Sequence, residues 1–171
     1  AQRHGRGFES LDDFHAWSFT EREDFWLAIW DFCGVRGERR GPVLVDEGHM
    51  TEARFFPETT LNFAENLLSR SGPDEALIFR GEDKVETRWS WDDLAGAVSR
   101  LQQAFRGLGI GKGDRIAAMM PNMPETVACM LAAASIGAIW SSCSPDFGVQ
   151  GVLDRFGQIE PKVFIACDGY W

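Results

Sequence analysis

Apolar positions along the chain fall into helical and extended rhythms that change character near its middle. Thr20 and Glu23 stand at capping-box spacing, and Phe25, Trp26, Ile29, Trp30 and Cys33 then recur at three and four until Gly34. This predicts an amphipathic helix with a heavy aromatic face, and aromatic rings at that spacing are read as ordinary packing residues. Gly34 to Gly48 has loop composition, with the charges of Glu38-Arg39-Arg40 on a solvated surface. A second capping box, Asn62 to Glu65, opens a short helix through Phe63, Leu67 and Leu68.

After Ser71-Gly72-Pro73-Asp74 the grammar becomes alternating strand and helix. Ala76 to Arg80 and Val85 to Trp91 are β-rich runs joined by Gly81-Glu82-Asp83-Lys84, a hairpin connection. Ser90 and Asp93 then cap a helix whose Leu94, Val98, Leu101, Phe105 and Leu108 follow one face. From Gly113 onward the order is strand Arg115 to Met120, helix Glu125 to Ile136, strand Ala138 to Ser142, helix Val149 to Ile159, strand Lys162 to Cys167. Crossovers of this length suit right-handed parallel β-α-β units, so a doubly wound sheet is expected. The middle helix, with Ala128, Ala132, Ala133 and Ala134, is expected to be buried between layers. The fold class is therefore α/β: a helical N-terminal cap segment (1–70) followed by a parallel α/β subdomain (75–171) that opens with the β-hairpin and continues as a parallel β-α-β sheet.

At 171 residues the chain is long enough to bury about 70% of its unfolded surface. A hydrophobic share of 44% against 25% charged excludes a disordered chain. Lys and Arg total 17 against 26 Asp and Glu, a formal charge of −9, which argues against a nucleic-acid partner. The longest apolar stretch, Thr126 to Ala138, is too short and too interrupted to span a membrane. No signal peptide is read in the first ten residues. Cys33, Cys129, Cys143 and Cys167 are far apart and read as free thiols of a reducing cytoplasm. His4, His15 and His49 have no partner at ligand spacing, so no metal site is assigned.

Two segments invite chemistry. Gly107, Gly109, Gly111 and Gly113 suggest a phosphate loop, but a helix precedes them and a strand follows, the reverse of what a phosphate loop needs, so they read as a helix cap and turn. Ligands of open parallel sheets bind outside the carboxyl ends of the strands. Three loops belong to that edge: Met120 to Pro124, Cys143 to Gly148, and Asp168 onward. The second is the richest, with small hydroxyls, a Pro and a Gly ahead of a helix start. A ligand role for it stands beside the simpler reading that Ser144, Asp146 or Gly148 only caps that helix. Asp146 has no carboxylate, His or Lys near it in sequence and is not read as a general acid or base, so no catalytic residue is assigned.

Leu61-Asn62-Phe63-Ala64-Glu65-Asn66-Leu67-Leu68, Gly113-Asp114-Arg115, Pro121-Asn122 and above all the run from Ala132 to Pro161 resemble the N-terminal part of the acetoacetyl-CoA synthetases. These belong to the acyl-adenylate-forming superfamily, with acyl-CoA ligases, luciferase and adenylation domains. The likeness runs from Phe14 to Tyr170. The Trp140-to-Gly148 run differs from the Phe-Gly-Gly-Phe of acetyl-CoA synthetases. The resemblance implies a two-step ligation, in which acetoacetate and Mg-ATP give acetoacetyl-AMP and pyrophosphate, and the CoA thiol then displaces AMP. It implies that Ser144, Pro145, Asp146 and Phe147 border the channel for the pantetheine arm of CoA.

The family's Ser/Thr/Gly-rich phosphate loop and its reactive Lys have no match here. The resemblance therefore implies an incomplete opening piece of the enzyme's large domain, inactive alone and holding none of ATP, Mg2+ or CoA tightly. Its reading frame is expected to continue past Trp171, and its partners to be the small-molecule substrates and the remainder of its own polypeptide. Apolar surface around Val163 to Ile165 is expected to be exposed and to favour self-association. Three readings stay open: a piece of an acetoacetate–CoA ligase or of an acetyl- or propionyl-type relative; a stand-alone module binding acyl-CoA or a nucleotide; and an interaction protein with Trp26 and Trp30 exposed.

Overall fold

The computed structural model describes residues 7–46 and 48–169; His4, Tyr170 and Trp171, which figure in the sequence reading, lie outside them. Contacts divide the chain into one unit ending at Leu61 and a second beginning at Asn62.

The first unit carries α1 (Leu11–Thr20), α2 (Arg22–Cys33), β1 (Leu44–Val45) and β2 (Arg54–Phe55). α1 was not anticipated. It starts where the Ser10 hydroxyl accepts from the Asp13 N–H at 3.1 Å, an N-cap legible in the sequence. Its presence removes the expected Thr20–Glu23 capping box, because Thr20 sits at the end of α1 and its hydroxyl donates back to the Ala16 carbonyl at 3.0 Å. α2 consequently begins without a side-chain cap and ends, as expected, at Gly34, whose φ of 61° suits a residue without Cβ.

The aromatic face of α2 does pack. Phe25 meets the buried Trp17 edge-on at 5.5 Å, Trp26 meets Phe55 at 5.2 Å, and Trp30 meets Phe56 at 5.1 Å. These contacts are shallow: Trp26 stays 38% exposed, Trp30 is half-buried, and no residue of α2 is fully buried. The Gly34 to Gly48 stretch is more ordered than a loop, since it contributes β1, antiparallel to β2, and Glu38 exchanges backbone hydrogen bonds with Thr60.

The second unit holds α3 (Phe63–Leu67), a hairpin of β3 (Glu75–Gly81) and β4 (Val85–Ser90), α4 (Trp91–Gly107), β5 (Arg115–Met119), α5 (Pro124–Ser135), β6 (Ile139–Cys143), α6 (Val149–Phe156) and β7 (Val163–Ala166). β4 stops one residue earlier than expected because Ser90 already caps α4, in a complete box with Asp93. Leu94, Val98 and Phe105 are buried as their spacing requires. Leu108 is not on that face, because α4 has ended and Leu108 sits 65% exposed at its C-cap.

α5 is buried through Ala128, Leu131, Ala132 and Ala133, whose small or well-shaped side chains let α4 and β6 approach closely. At its end, the Asn62 amide donates to the Ser135 carbonyl at 3.0 Å and the Gln102 amide to the Ser135 hydroxyl at 2.9 Å, tying α3, α4 and α5 together.

β5, β6 and β7 form a parallel sheet in the order β6-β5-β7. Side-chain alternation along β5 separates two cores. Ile116 packs with α4 and α5, joined by Trp140, Val163 and Ile165; Ala117 and Cys143 pack with Phe156 and Val152 of α6. The helices after β5 and β6 therefore cover opposite faces, which makes the sheet doubly wound. The expectation of exposed Val163 and Ile165 is corrected by the same alternation: both join the first core, and Phe164, 50% exposed against Phe156, is the one that faces outward. Among the described residues no helix is long and apolar enough to cross a membrane.

Candidate functional site at the carboxyl edge of the sheet

The glycine-rich run lies at the amino edge. Gly109 and Gly113 take φ of 75° and 84° in the turn between α4 and β5, and the Gly111 N–H donates to the Asp114 carboxylate at 2.9 Å. The Asp114 carboxylate also pairs with Lys162 at 2.6 Å. That hydrogen bond, followed by the one from Gly111, holds the Asp114 carboxyl below its ordinary value. Arg115 donates from Nε to the Ile159 carbonyl and from Nη2 to the Glu160 carbonyl at 3.4 Å. This edge is a clasp joining the starts of β5 and β7. α6 ends at Phe156 with Gly157 as its C-cap, three residues before the expected Ile159, and the Ile159 and Glu160 carbonyls that follow meet Arg115.

The opposite edge is open. β5 pairs with β6 in register up to Met119 and Cys143, and the Met120 N–H continues the ladder to the Cys143 carbonyl at 3.2 Å. The loops that follow leave from one level and run to opposite faces, Met120 to Pro124 toward α5 and Ser144 to Gly148 toward α6. A crevice at such a reversal is where doubly wound sheets bind ligands. In the first loop, the Thr126 hydroxyl donates to the Pro121 carbonyl at 2.7 Å, and Pro124 opens α5 where its missing N–H costs nothing.

In the second loop, the Ser144 hydroxyl donates to Asp146 Oδ2 at 2.8 Å and accepts from the Asp146 N–H at 3.3 Å, while the Phe147 N–H reaches the Ser144 carbonyl at 3.3 Å. Ser144 and Asp146 thus fold the loop on itself. Neither caps α6; the N-cap is Gly148, with no side-chain bond to the first turn. Ser144, Asp146 and Phe147 are exposed and Pro145 is half-buried. The four lie together as one short surface, beside the buried Cys143.

One residue escaped the sequence reading. Arg155 of α6 brings its guanidinium carbon to 4.6 Å from the Phe147 ring centroid. The signal was present: Phe147, Gly151 and Arg155 are spaced four apart, the interval that lines up residues on one side of a helix, with Phe147 just ahead of its first turn.

Elsewhere, burial and then the charge of Glu125 push the Cys129 thiol up, which suits a packing residue rather than a nucleophile. Among the described residues no cluster of three or more His, Cys, Asp or Glu could hold a metal ion.

A three-stranded parallel sheet with helices on both faces places the chain in the doubly wound α/β class, whose ligands bind outside the carboxyl ends of the strands. The chain belongs to the AMP-binding enzyme family, whose model matches residues 64–170. It is 66% identical over 170 residues to an acetoacetyl-coenzyme A synthetase of Rhizobium meliloti, a match covering 99% of this chain and 26% of the relative. A malonamoyl-CoA synthetase of Penicillium aethiopicum is 40% identical over 173 residues, covering 96% of this chain and 24% of the relative. In three dimensions the chain resembles the acetoacetyl-CoA synthetase of Streptomyces lividans, with a TM-score of 0.89 and 38% identity, covering 98% of this chain and 27% of that one. The chain thus spans about a quarter of the length of the relatives it matches.

Proposed function

We propose that this chain is the N-terminal part of an AMP-forming acetoacetate–CoA ligase acting in the cytoplasm. The observation that carries the proposal is the 66% identity to an acetoacetyl-coenzyme A synthetase, maintained over 170 residues. In this reaction the acetoacetate carboxylate attacks the α-phosphorus of ATP and pyrophosphate leaves. The CoA sulfur then attacks the acyl carbon of acetoacetyl-AMP and AMP leaves. A carboxylate oxygen is a poor leaving group and AMP a good one, so the first step activates the carbon for the second. When bound, Mg2+ supports the charge on the phosphates.

What this chain contributes is position. Segments 1–70 and 75–171 are parts of one larger N-terminal domain of that ligase, and the sheet carries the Ser144-Pro145-Asp146-Phe147 loop as the border of the route along which the pantetheine arm of CoA approaches. Pro145 and the internal Ser144–Asp146 bonds support this role by fixing the loop before the ligand arrives, which lowers the ordering cost of binding. On this reading Phe164 and the exposed Val149 and Leu153 of α6 face the remainder of the same polypeptide.

The test is to purify the endogenous protein and assay pyrophosphate exchange and CoA-dependent AMP release with acetoacetate, malonamate, acetate and propionate. A clear preference for acetoacetate in kcat/KM supports the proposal. A preference for malonamate or for the short unsubstituted acids would reassign the substrate, and CoA binding without any turnover would make the protein a binding module.

A further inference from the structure

Phe147 precedes α6, yet its ring lies along the helix. A Cβ added to Gly151 would stand 3.2 Å from Phe147 Cδ1, so the ring lies close against the helix and would have to give by a few tenths of an ångström for a larger residue there. Arg155 is one turn further down. Helical side chains slant toward the N-terminus of their helix, and here that slant carries the guanidinium back over the ring, 4.6 Å from its centroid, toward the carboxyl edge of the sheet.

An arginine in the last turn of a helix has an ordinary role, to meet the terminal carbonyls at the negative end of the dipole. Arg155 turns the other way, and among the described residues neither a carbonyl nor a carboxylate receives its N–H groups. The acid beside it, Asp154, is engaged by the Gln150 amide at 2.7 Å. With the guanidinium carbon over the ring and no carbonyl or carboxylate of the described residues on its N–H groups, its planar fork of donors is left to match a phosphate.

Resting on the reading of the Ser144 to Phe147 loop as the CoA border, we propose that Arg155, shelved on the Phe147 ring, binds a phosphate group of CoA while the loop meets its pantetheine arm. Free pyrophosphate offers the same anion chemistry but lacks the arm. CoA is the source the geometry favours, because the ring that carries the cation belongs to the loop itself.

The experiment is an amide and arginine side-chain NMR titration, with selective labelling, of the purified full-length protein with CoA, pantetheine and inorganic pyrophosphate, each to millimolar concentration. CoA is expected to shift the 144–148 amides and the Arg155 Nε–H, and pantetheine the loop amides alone. Arg155→Gln is expected to weaken CoA about tenfold, the loss of one charge-assisted contact, and to leave pantetheine unchanged. Phe147→Leu is expected to fall between wild type and Arg155→Gln, and unchanged chemical-shift dispersion elsewhere checks that each variant folds. If CoA binds Arg155→Gln as it binds wild type, the Arg155 proposal is overturned and the loop reading stands. If neither CoA nor pantetheine shifts the loop, both are overturned. Pyrophosphate matching CoA in affinity would overturn CoA as the source.

Discussion

Arg115 offers a direct test of how the parallel sheet is held. Its guanidinium reaches the carbonyls of Ile159 and Glu160, and the Glu160 backbone it grips has φ of 45°, a left-handed conformation that non-glycine residues adopt at a cost of about 1 kcal/mol. Arg115→Ala removes two charge-assisted bonds to half-exposed carbonyls. Such a bond contributes about 1.5 kcal/mol or more where buried, and water can replace part of it here, so the net loss is about 2 kcal/mol. For a chain of this size that lowers Tm by about 4 to 8 °C. Hydrogen exchange at Ile116, Ala117 and Ala118 reads the sheet itself and is expected to accelerate about thirtyfold. Arg115→Lys, able to reach one carbonyl, should recover about half. Glu160→Gly, which relieves the left-handed strain, should restore part of what Arg115→Ala loses. Wild-type exchange rates in Arg115→Ala would refute the clasp, as would a Glu160→Gly change that deepens the loss.

Other expectations follow from the same structure. Leu131→Ala empties a site only 2% exposed between α4 and α5 and should cost about 2 to 5 kcal/mol in urea unfolding. Ser90→Ala breaks the α4 capping box and should cost about 1 kcal/mol in the same assay. Asp93, held down by the Ser90 side chain and backbone, and Asp114, held down by Lys162 and Gly111, both have folded-state pKa values below the ordinary 3.8. Their contribution is complete above that value and is lost as pH falls through the lower folded-state values, so Tm should drop on acidification below about pH 4, and less steeply in Asp114→Asn.

Most of the second unit was legible because its signals are local and redundant. The Ser90–Asp93 box, the period of α4 and the crossover lengths all point to one arrangement, and the structure differs mainly at ends, such as Leu108 and Ile159. The first unit was harder, because two helices meet at Thr20 and Glu21 with no Gly or Pro between them, and the Thr20–Glu23 spacing suggested a cap that the end of α1 forbids. The Val163 to Ile165 expectation held for Phe164 alone, because it treated a three-residue run as one surface where strand alternation divides it between faces. At the carboxyl edge the loop residues stand out in the sequence by composition. Arg155 does not, since its meaning depends on which way a long side chain turns, and periodicity reports only the strip it starts from.

The order of the strands also bears on the chain's history as it is made. β5 and β6 are separated by a single helix, so they can pair early, whereas β7 arrives only after α6. Until then the far side of β5 presents bare N–H and C=O groups flanked by Ile116, Ala117 and Ala118, an apolar template that a neighbouring nascent chain could extend. Asp114 and Arg115 stand at the entrance of that edge as charged gatekeepers. When β7 docks, Arg115 grips the turn before it and Asp114 meets Lys162 at its threshold. The two charged residues at the start of β5 are thus the latch that secures β7 once it has docked.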